Sequence, residues 1–416
     1  MRGLLRSLHR WCGLAICLFL VVSGATGSLL AFEHEIDAWL NPQLFCTAST
    51  APVMTASALI ERIEAQDPRI SVTQLPLDGK AGQAIEVQVA ARGTDSPGGR
   101  ASKAVLDFDR ALVDPGTGTI LGTRKWGQWK GDRAHFMPWL NRFHRTLTLP
   151  GRWGNWLLGS VALVWLFLSL SGVYLTLPAR LRKARPSATT TPSPGFLERW
   201  KPAWKIKRGT GGFRLINDLH RATGLWLLAV SISVAFSAIY LSLGNELFKP
   251  LVSLFGKVTA HPLTTLPTAP ASAPAPRVDP LPRLSPEDGI ALAQEQLPDA
   301  AKDYAPWYVS HIPARGVYRV AFKENGFRSL ALRVRYEQIF IDDRSGQLRA
   351  QFGYASGTGA DRFLVWLYPV HSGKVFGLGG RLLIAASGGM IVLLSITGLL
   401  RWLKRTRTPS RPESKR

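Results

Sequence analysis

Cysteine is scarce in this chain, with 3 in 416 residues. Cys12 and Cys17 lie at or inside the first apolar run and Cys46 stands alone beyond it. No disulfide framework can be built there, so folded segments must rely on ordinary cores. Acidic residues are also few, 28 against 51 Lys and Arg, for a formal charge of +23. No P-loop and no G-x-G-x-x-G follows a strand, which excludes a nicotinamide or flavin domain within this polypeptide. Cys, His and Asp nowhere cluster at zinc-ligand spacing, and a zinc site wants three or four protein ligands.

What the chain does hold is apolar sequence, 46% of its residues. Uncharged or nearly uncharged runs at 13–32, about 156–177, 224–243 and 382–403 are each long enough to cross roughly 30 Å of hydrocarbon. A cleaved signal peptide competes for the first run because Arg2, Arg6 and Arg10 precede it. The run is longer than a usual signal core and lacks a small-x-small site before Glu33, so it reads as a retained helix. The positive charge is concentrated beside these runs. Residues 1–12, 178–221 and 401–416 hold 21 Lys/Arg against 3 Asp/Glu. Such islands follow the positive-inside bias and place the N-terminus (1–12), the 178–221 loop and the 404–416 tail in the cytoplasm. A nucleic-acid groove would need its charge on a folded face, and no such module is present. Trp200 to Arg208 interleaves aromatics with base and reads as an anchor at anionic membrane lipid.

The segments 33–155 and 244–381 then face the other side, and they resemble each other. Helices are expected over about 56–65, capped by Thr55, and over about 286–297, from Ser285-Pro286. Strand-like runs come next at Ala84–Ala91 and Val105–Phe108, and at Val317–Phe322 and Ile339–Ile341. Each set reaches an Asp with Gly four residues later, Asp114 to Gly118 and Asp342 to Gly346, a hairpin signal. The expectation is a mainly α membrane protein of two parallel repeats, each a helix, a small outer α+β domain and a helix. Residues 262–286, with eight prolines, read as an extended spacer, and 186–194 as disordered.

Histidines stand at the edges of the four runs. Leu8-His9-Arg10 and Leu219-His220-Arg221 share an L-H-R-x-x-G-L spelling on the inner side. Phe136 to His144 and Phe363 to His371 carry Phe, Trp, Leu and His in identical register on the outer side. One boundary histidine is ordinary interfacial packing; four in register, paired by side, suggest function. Two neutral imidazoles at one depth can supply both axial ligands of an iron porphyrin. Arg10, Arg221 and Arg145 come directly after three of the histidines and suit propionate carboxylates, while Ser372 takes the fourth place. Small residues such as Gly24, Gly27, Ser171, Gly172, Ser237, Gly388 and Gly398 allow close helix packing or room for a flat ring. His34 is an alternative outer ligand; His135, His261 and His311 read as surface residues. Arg124, Lys125, Trp126, Trp129, Lys130, Arg133 and Phe136 form a basic, aromatic patch, either an interfacial belt or a landing site for a bulky anionic chelate.

These stretches resemble the PepSY-associated transmembrane helix family, also called iron-regulated inner-membrane proteins. The likeness rests on Leu8-His9-Arg10-Trp11, on Phe143 to Leu147 with Gly151 to Trp156, and on Asp218 to Arg221. It continues through Val370 to Gly373 with Gly380-Arg381, and through the two D-x-x-[ST]-G turns. The resemblance implies a bacterial cytoplasmic-membrane protein with four spans and two periplasmic PepSY domains, about 52–123 and 284–350. Outside those units it leaves periplasmic segments within 33–133 and 244–283, and the His144 and His371 segments 134–155 and 359–381. Some members are reductases that bind two b-type haems and reduce ferric siderophores. Carried over, His9 and His220 would hold the inner haem and His144 and His371 the outer one. The electron donor would be a quinol or a cytoplasmic flavoprotein. A non-enzymatic module, in which the PepSY pair binds or regulates a periplasmic protease or iron-uptake partner on a membrane anchor, is the second expectation. A permease ranks last, because no ionisable residue lies near the middle of the four runs.

Overall fold

The computed structural model describes residues 1–94, 102–103, 105–178, 194–207, 209, 211–268, 284–324 and 335–406. All but Pro194 of the tract expected to be disordered at 186–194 lies outside the described residues, as do 269–283 of the spacer expected over 262–286 and the tail beyond 406. The spacer does not start extended, because Pro262–Thr265 is a short helix begun by a proline in its first turn. Four helices are long and apolar enough to cross a membrane: Arg2–Leu30, Trp153–Thr176, Leu228–Ser253 and Lys374–Lys404.

Helix α1 (Arg2–Leu30) runs toward a β-sheet and is followed by α2 (Glu33–Leu40). Helix α3 (Ala56–Gln66) is capped by the Thr55 hydroxyl, which accepts from the Ala58 amide. Then come β1 (Ile70–Pro76), β2 (Ile85–Ala91), β3 (Arg110–Val113) and β4 (Ile120–Arg124). Helix α4 (Arg133–Thr146) leads back to the bundle and α5 (Trp153–Thr176) crosses it. The second half has the same order. Helix α6 (Gly212–Trp226) meets α7 (Leu228–Leu243), which passes through a π-helical turn at Gly244–Phe248. Helix α8 (Pro286–Glu295) precedes β5 (Ala305–Ile312), β6 (Val317–Lys323), β7 (Tyr336–Asp342) and β8 (Leu348–Gly353). Helix α9 (Gly359–Ser372) returns to the bundle and α10 (Gly377–Thr406) crosses it.

The strands do not form two separate sheets. They make one eight-stranded antiparallel sheet in the order β8-β7-β6-β5-β1-β2-β3-β4, which places β1 and β5 at its centre. Leu75 pairs with Val309 and Pro76 with Tyr308 across that seam. Each four-stranded unit alone would expose two edge strands, and the pairing covers one of each, β1 and β5, leaving β4 and β8 at the ends. Helices α3 and α8 lie on one face, burying Leu59, Ile63 and Ala293 against Val72, Val87, Val309, Val320 and Ile341. The Glu287 carboxylate accepts from the amide and hydroxyl of Ser57, tying the two helices together.

Some sequence expectations need correction. Val105–Phe108 is not a strand; the pairing partner of β2 is Arg110–Val113. Strands β1 and β5 are not apparent from alternation. A register shift between Val72 and Gln74 interrupts the pattern in β1, and one between Pro306 and Tyr308 does so in β5. The Asp114 and Asp342 turns close the β3–β4 and β7–β8 hairpins, each with its glycine at φ +72°.

In the bundle α1 packs on α10 and on α5, and α5 packs on α7. A β-carbon on Gly24 would come within 2.7 Å of the Gly388 carbonyl oxygen, so two glycines set the α1–α10 crossing. The Ser28 hydroxyl crosses the same gap to the Ala385 carbonyl at 2.8 Å.

Candidate functional site

Each of the four histidines leaves one helix and rests on the other spanning helix of its own half. His9 of α1 meets the Ser171 hydroxyl on α5 through Nδ1 at 2.9 Å. His144 of α4 meets the Thr26 hydroxyl on α1 at 2.7 Å. His220 of α6 meets the Leu394 carbonyl at 3.1 Å and the Thr397 hydroxyl at 3.2 Å, both on α10. His371 of α9 meets the Ser237 hydroxyl on α7 at 3.1 Å. Glycines face the Cε1 edge of three of these rings. A β-carbon on Gly27, Gly172 or Gly398 would stand 3.2, 3.3 or 3.3 Å from Cε1 of His144, His9 or His220.

The hydroxyls decide the tautomer. Thr26, Ser171, Ser237 and Thr397 each donate their one hydrogen to a carbonyl of their own helix. With its hydrogen so placed each hydroxyl accepts from the imidazole, as the Leu394 carbonyl must. His220 therefore carries its proton on Nδ1, and the same arrangement at the other three rings leaves Nε2 with a lone pair in the form a metal ligand needs. Burial, the neighbouring His371 and Arg145 push the His144 pKa down to about 4. Burial, with Arg401 and His9, takes His220 down to about 3. Both rings are neutral at physiological pH.

At the end of the bundle away from the sheet, His9 and His220 line one cavity of about 1100 Å³ between α1, α5, α6 and α10. That volume is at the upper end for a small-molecule site. Its walls include Leu14, Leu20, Leu168 and Ile391, and its rim carries Arg6, Arg10, Arg221, Arg401 and Lys404 with no acidic residue. Nε of Arg10 and of Arg221 are buried without a hydrogen-bond partner. Two terminal nitrogen bonds, to the Asp218 carboxylate and the Pro202 carbonyl, fix Arg221.

At the sheet end His144 and His371 come together, their ring centres 6.5 Å apart and their planes at 54°. Two imidazoles each about 2 Å from one metal atom through a ring nitrogen have centres about 6.3 Å apart. The spacing therefore admits a single metal between them. Among the described residues no three His, Cys, Asp or Glu side chains gather to hold a metal ion alone. A metal here would have to bring its remaining ligands with it, as a metal in a macrocycle does.

The other residues singled out in the sequence are placed differently. His34 is exposed and sets its ring against Phe45 at 5.5 Å. Arg145 is exposed and lies over the Trp126 ring at 5.9 Å. Arg124 is no part of an exposed landing patch: it is 5% exposed and bound to Asp37 at 2.7 Å and to Glu86. It fastens β4 to α2 and β2. Lys125 and Trp126 are half-buried, whereas Trp129, Lys130 and Arg133 are exposed. His135, expected at the surface, is buried and bound through Nδ1 to Asp132 at 2.7 Å. His261 packs on Phe352 and His311 binds Asp343.

Sequence reasoning missed the two arginines that close the sheet end. Arg381 of α10 binds Glu35 at 2.6 Å and the Ala31 carbonyl at 2.7 Å. Arg152, just before α5, binds Glu246 beyond α7 at 2.8 Å. Each arginine thus ties its own half to an acid of the other half. The G-R spelling at the start of both crossing helices, Gly151-Arg152 and Gly380-Arg381, was a signal that could have found them.

Four apolar crossing helices with a histidine pair at either end, joined to an antiparallel sheet, define a multi-pass membrane protein with α+β content. The family model of the PepSY-associated TM region matches residues 6–405, and the chain belongs to that family. A search of curated proteins found no match.

Proposed function

We propose that the chain is an electron conduit of the bacterial cytoplasmic membrane, built from two copies of one helix–domain–helix unit, with the sheet in the periplasm and both termini in the cytoplasm. In this reading it holds two b-type haems, one between His9 and His220 and one between His144 and His371. It takes electrons from a quinol or a cytoplasmic flavoprotein and reduces ferric iron in a periplasmic siderophore. The observation that carries the reading is the His144–His371 pair, 6.5 Å apart with each Nδ1 engaged by a neighbouring helix.

Haem supplies reversible one-electron iron chemistry; the rest is the protein's part. Nδ1 bonds to a hydroxyl or carbonyl hold each imidazole in one orientation and raise its basicity. Gly27, Gly172 and Gly398 let the Cε1 edge of each ring come close to the opposing helix. Arg10 and Arg221, each with an Nε that has no partner, are donors for propionate carboxylates at the far end. At the sheet end Arg145 stacks on Trp126, so that site is less basic. Iron leaves a hard-oxygen chelate more readily as Fe(II), which is why adding one electron to the substrate releases it.

The test is haem quantitation by pyridine haemochrome on the purified protein and on His9→Ala, His220→Ala, His144→Ala and His371→Ala. Two haems per chain are expected, with one lost from each variant. A wild-type protein without a Soret band that shifts on dithionite reduction would leave the non-enzymatic binding module as the function.

A further inference from the structure

Between β4 and α4 the chain holds an aromatic group in the open. Trp129 is 52% exposed, and its ring contacts Trp139 at 5.0 Å and Phe136 at 6.3 Å. Trp139 in turn stacks on Phe143 at 5.2 Å with planes 19° apart. Phe136, Trp139 and Phe143 recur at helical spacing along one face of α4, and Phe143 immediately precedes His144. Trp139 is five residues from His144, about 7.5 Å along the helix axis.

The loop that presents Trp129 is fixed at both ends. The Trp126 amide donates to Asp109 at 2.8 Å, and Gly127, at φ +74°, sits against the stem of Arg142. Asp132 caps α4 and holds His135. An exposed tryptophan on an anchored loop presents a flat apolar surface whose ordering entropy is already spent. Exposed cations flank it: Lys130, within 3.8 Å of Asp107, and Arg133 at the start of α4. A belt tryptophan belongs at the end of a spanning helix, where Trp153 and Trp156 are. Trp129 instead lies in the loop between β4 and α4, outside the crossing helices.

We propose that this platform binds ferric chelates whose iron-binding arms are anionic aromatic rings, such as catecholates, in preference to aliphatic hydroxamate complexes. Rings stack on Trp129, which Trp139 backs, while Lys130 and Arg133 meet the negative charge of the tricatecholate complex. A hydroxamate complex offers neither an aryl face nor that charge. The platform gives the proposed reductase its substrate class and rests on that reading for the electron-transfer step, but docking itself is testable without electron transfer.

The experiment titrates full-length protein in nanodiscs with redox-inert gallium(III) complexes of a tricatecholate and of a trihydroxamate, followed by tryptophan fluorescence and calorimetry. The tricatecholate should bind at least about tenfold more tightly. Trp129→Ala should weaken it about tenfold, the scale of one lost aromatic stack. Trp129→Phe should retain most of the affinity, which shows that the loop still folds. Lys130→Gln with Arg133→Gln should weaken binding and flatten its dependence on salt. Equal affinity for the two complexes, or tricatecholate binding indifferent to Trp129→Ala, would overturn the proposal; so would a Trp129 that responds only to lipid composition. Because gallium is not reduced, a haem-free protein that still binds would defeat the reductase reading alone.

Discussion

Gly27 of α1 stands so close to His144 that a β-carbon there would lie 3.2 Å from the ring's Cε1. The ring also bonds Thr26, the residue before that glycine, so two adjacent positions on one helix fix a side chain from another. Gly27→Val should force the imidazole off its seat, at about 1–3 kcal/mol of overpacking. The expected result is one haem per chain instead of two, with the His9–His220 signal intact. Gly24→Val is the contrast. That position meets the Gly388 carbonyl, so its variant should lower the melting temperature without selective loss of either haem.

Removing the hydroxyl acceptor should loosen the ligand without removing it. Thr26→Val leaves His144 Nδ1 without its partner, and Ser171→Ala does the same to His9. Such outer contacts are worth about 10–100-fold in metal affinity. The rate of haem transfer to an apo-globin should rise in each variant for one haem only. Equal release of both haems would count against the assignment.

Arg124 should behave as a structural tie. It and Asp37 are each 6% exposed at the side chain. Arg124→Met leaves the Asp37 carboxylate buried and unpaired, a change that costs about 3–5 kcal/mol. Thermal unfolding followed by light scattering should show a clear fall in stability. Gallium tricatecholate binding by the surviving folded protein should be unchanged, since Arg124 does not reach the surface.

Asp361 makes the anchorage of α9 depend on pH. Burial works against its ionised form, but hydrogen bonds from Thr259 and Thr358 outweigh it and hold the carboxyl below its usual range. A lowered folded-state pKa gives stabilisation that is complete above the unfolded value of about 3.9 and lost as pH falls through the folded one. Asp361→Asn should therefore lower stability by about 1–3 kcal/mol at neutral pH. The gap between wild type and variant should stay constant from pH 7 to about 5 and narrow below about 4. A constant gap down to pH 3 would show that the carboxylate charge is not what holds the loop to α9.

Hydropathy and local pattern determined much by themselves. The four apolar runs, the family and the two Asp-to-Gly hairpins were legible because each depends on a contiguous stretch whose length or turn chemistry leaves few alternatives. The register of His144 with His371 and of His9 with His220 was legible for the same reason. Only the tertiary structure decided which helix each histidine leans on and that Gly24 closes a helix crossing while Gly27 seats a ring. It also set His34 against Phe45 and took Arg124 into an ion-pair network. Those outcomes depend on partners distant in the chain: Arg124 and Asp37 are 87 residues apart, and the halves of the sheet meet at Leu75 and Val309. An arginine in a basic, aromatic stretch looks the same in sequence whether it faces water or a buried carboxylate, because burial belongs to the packing of the whole chain.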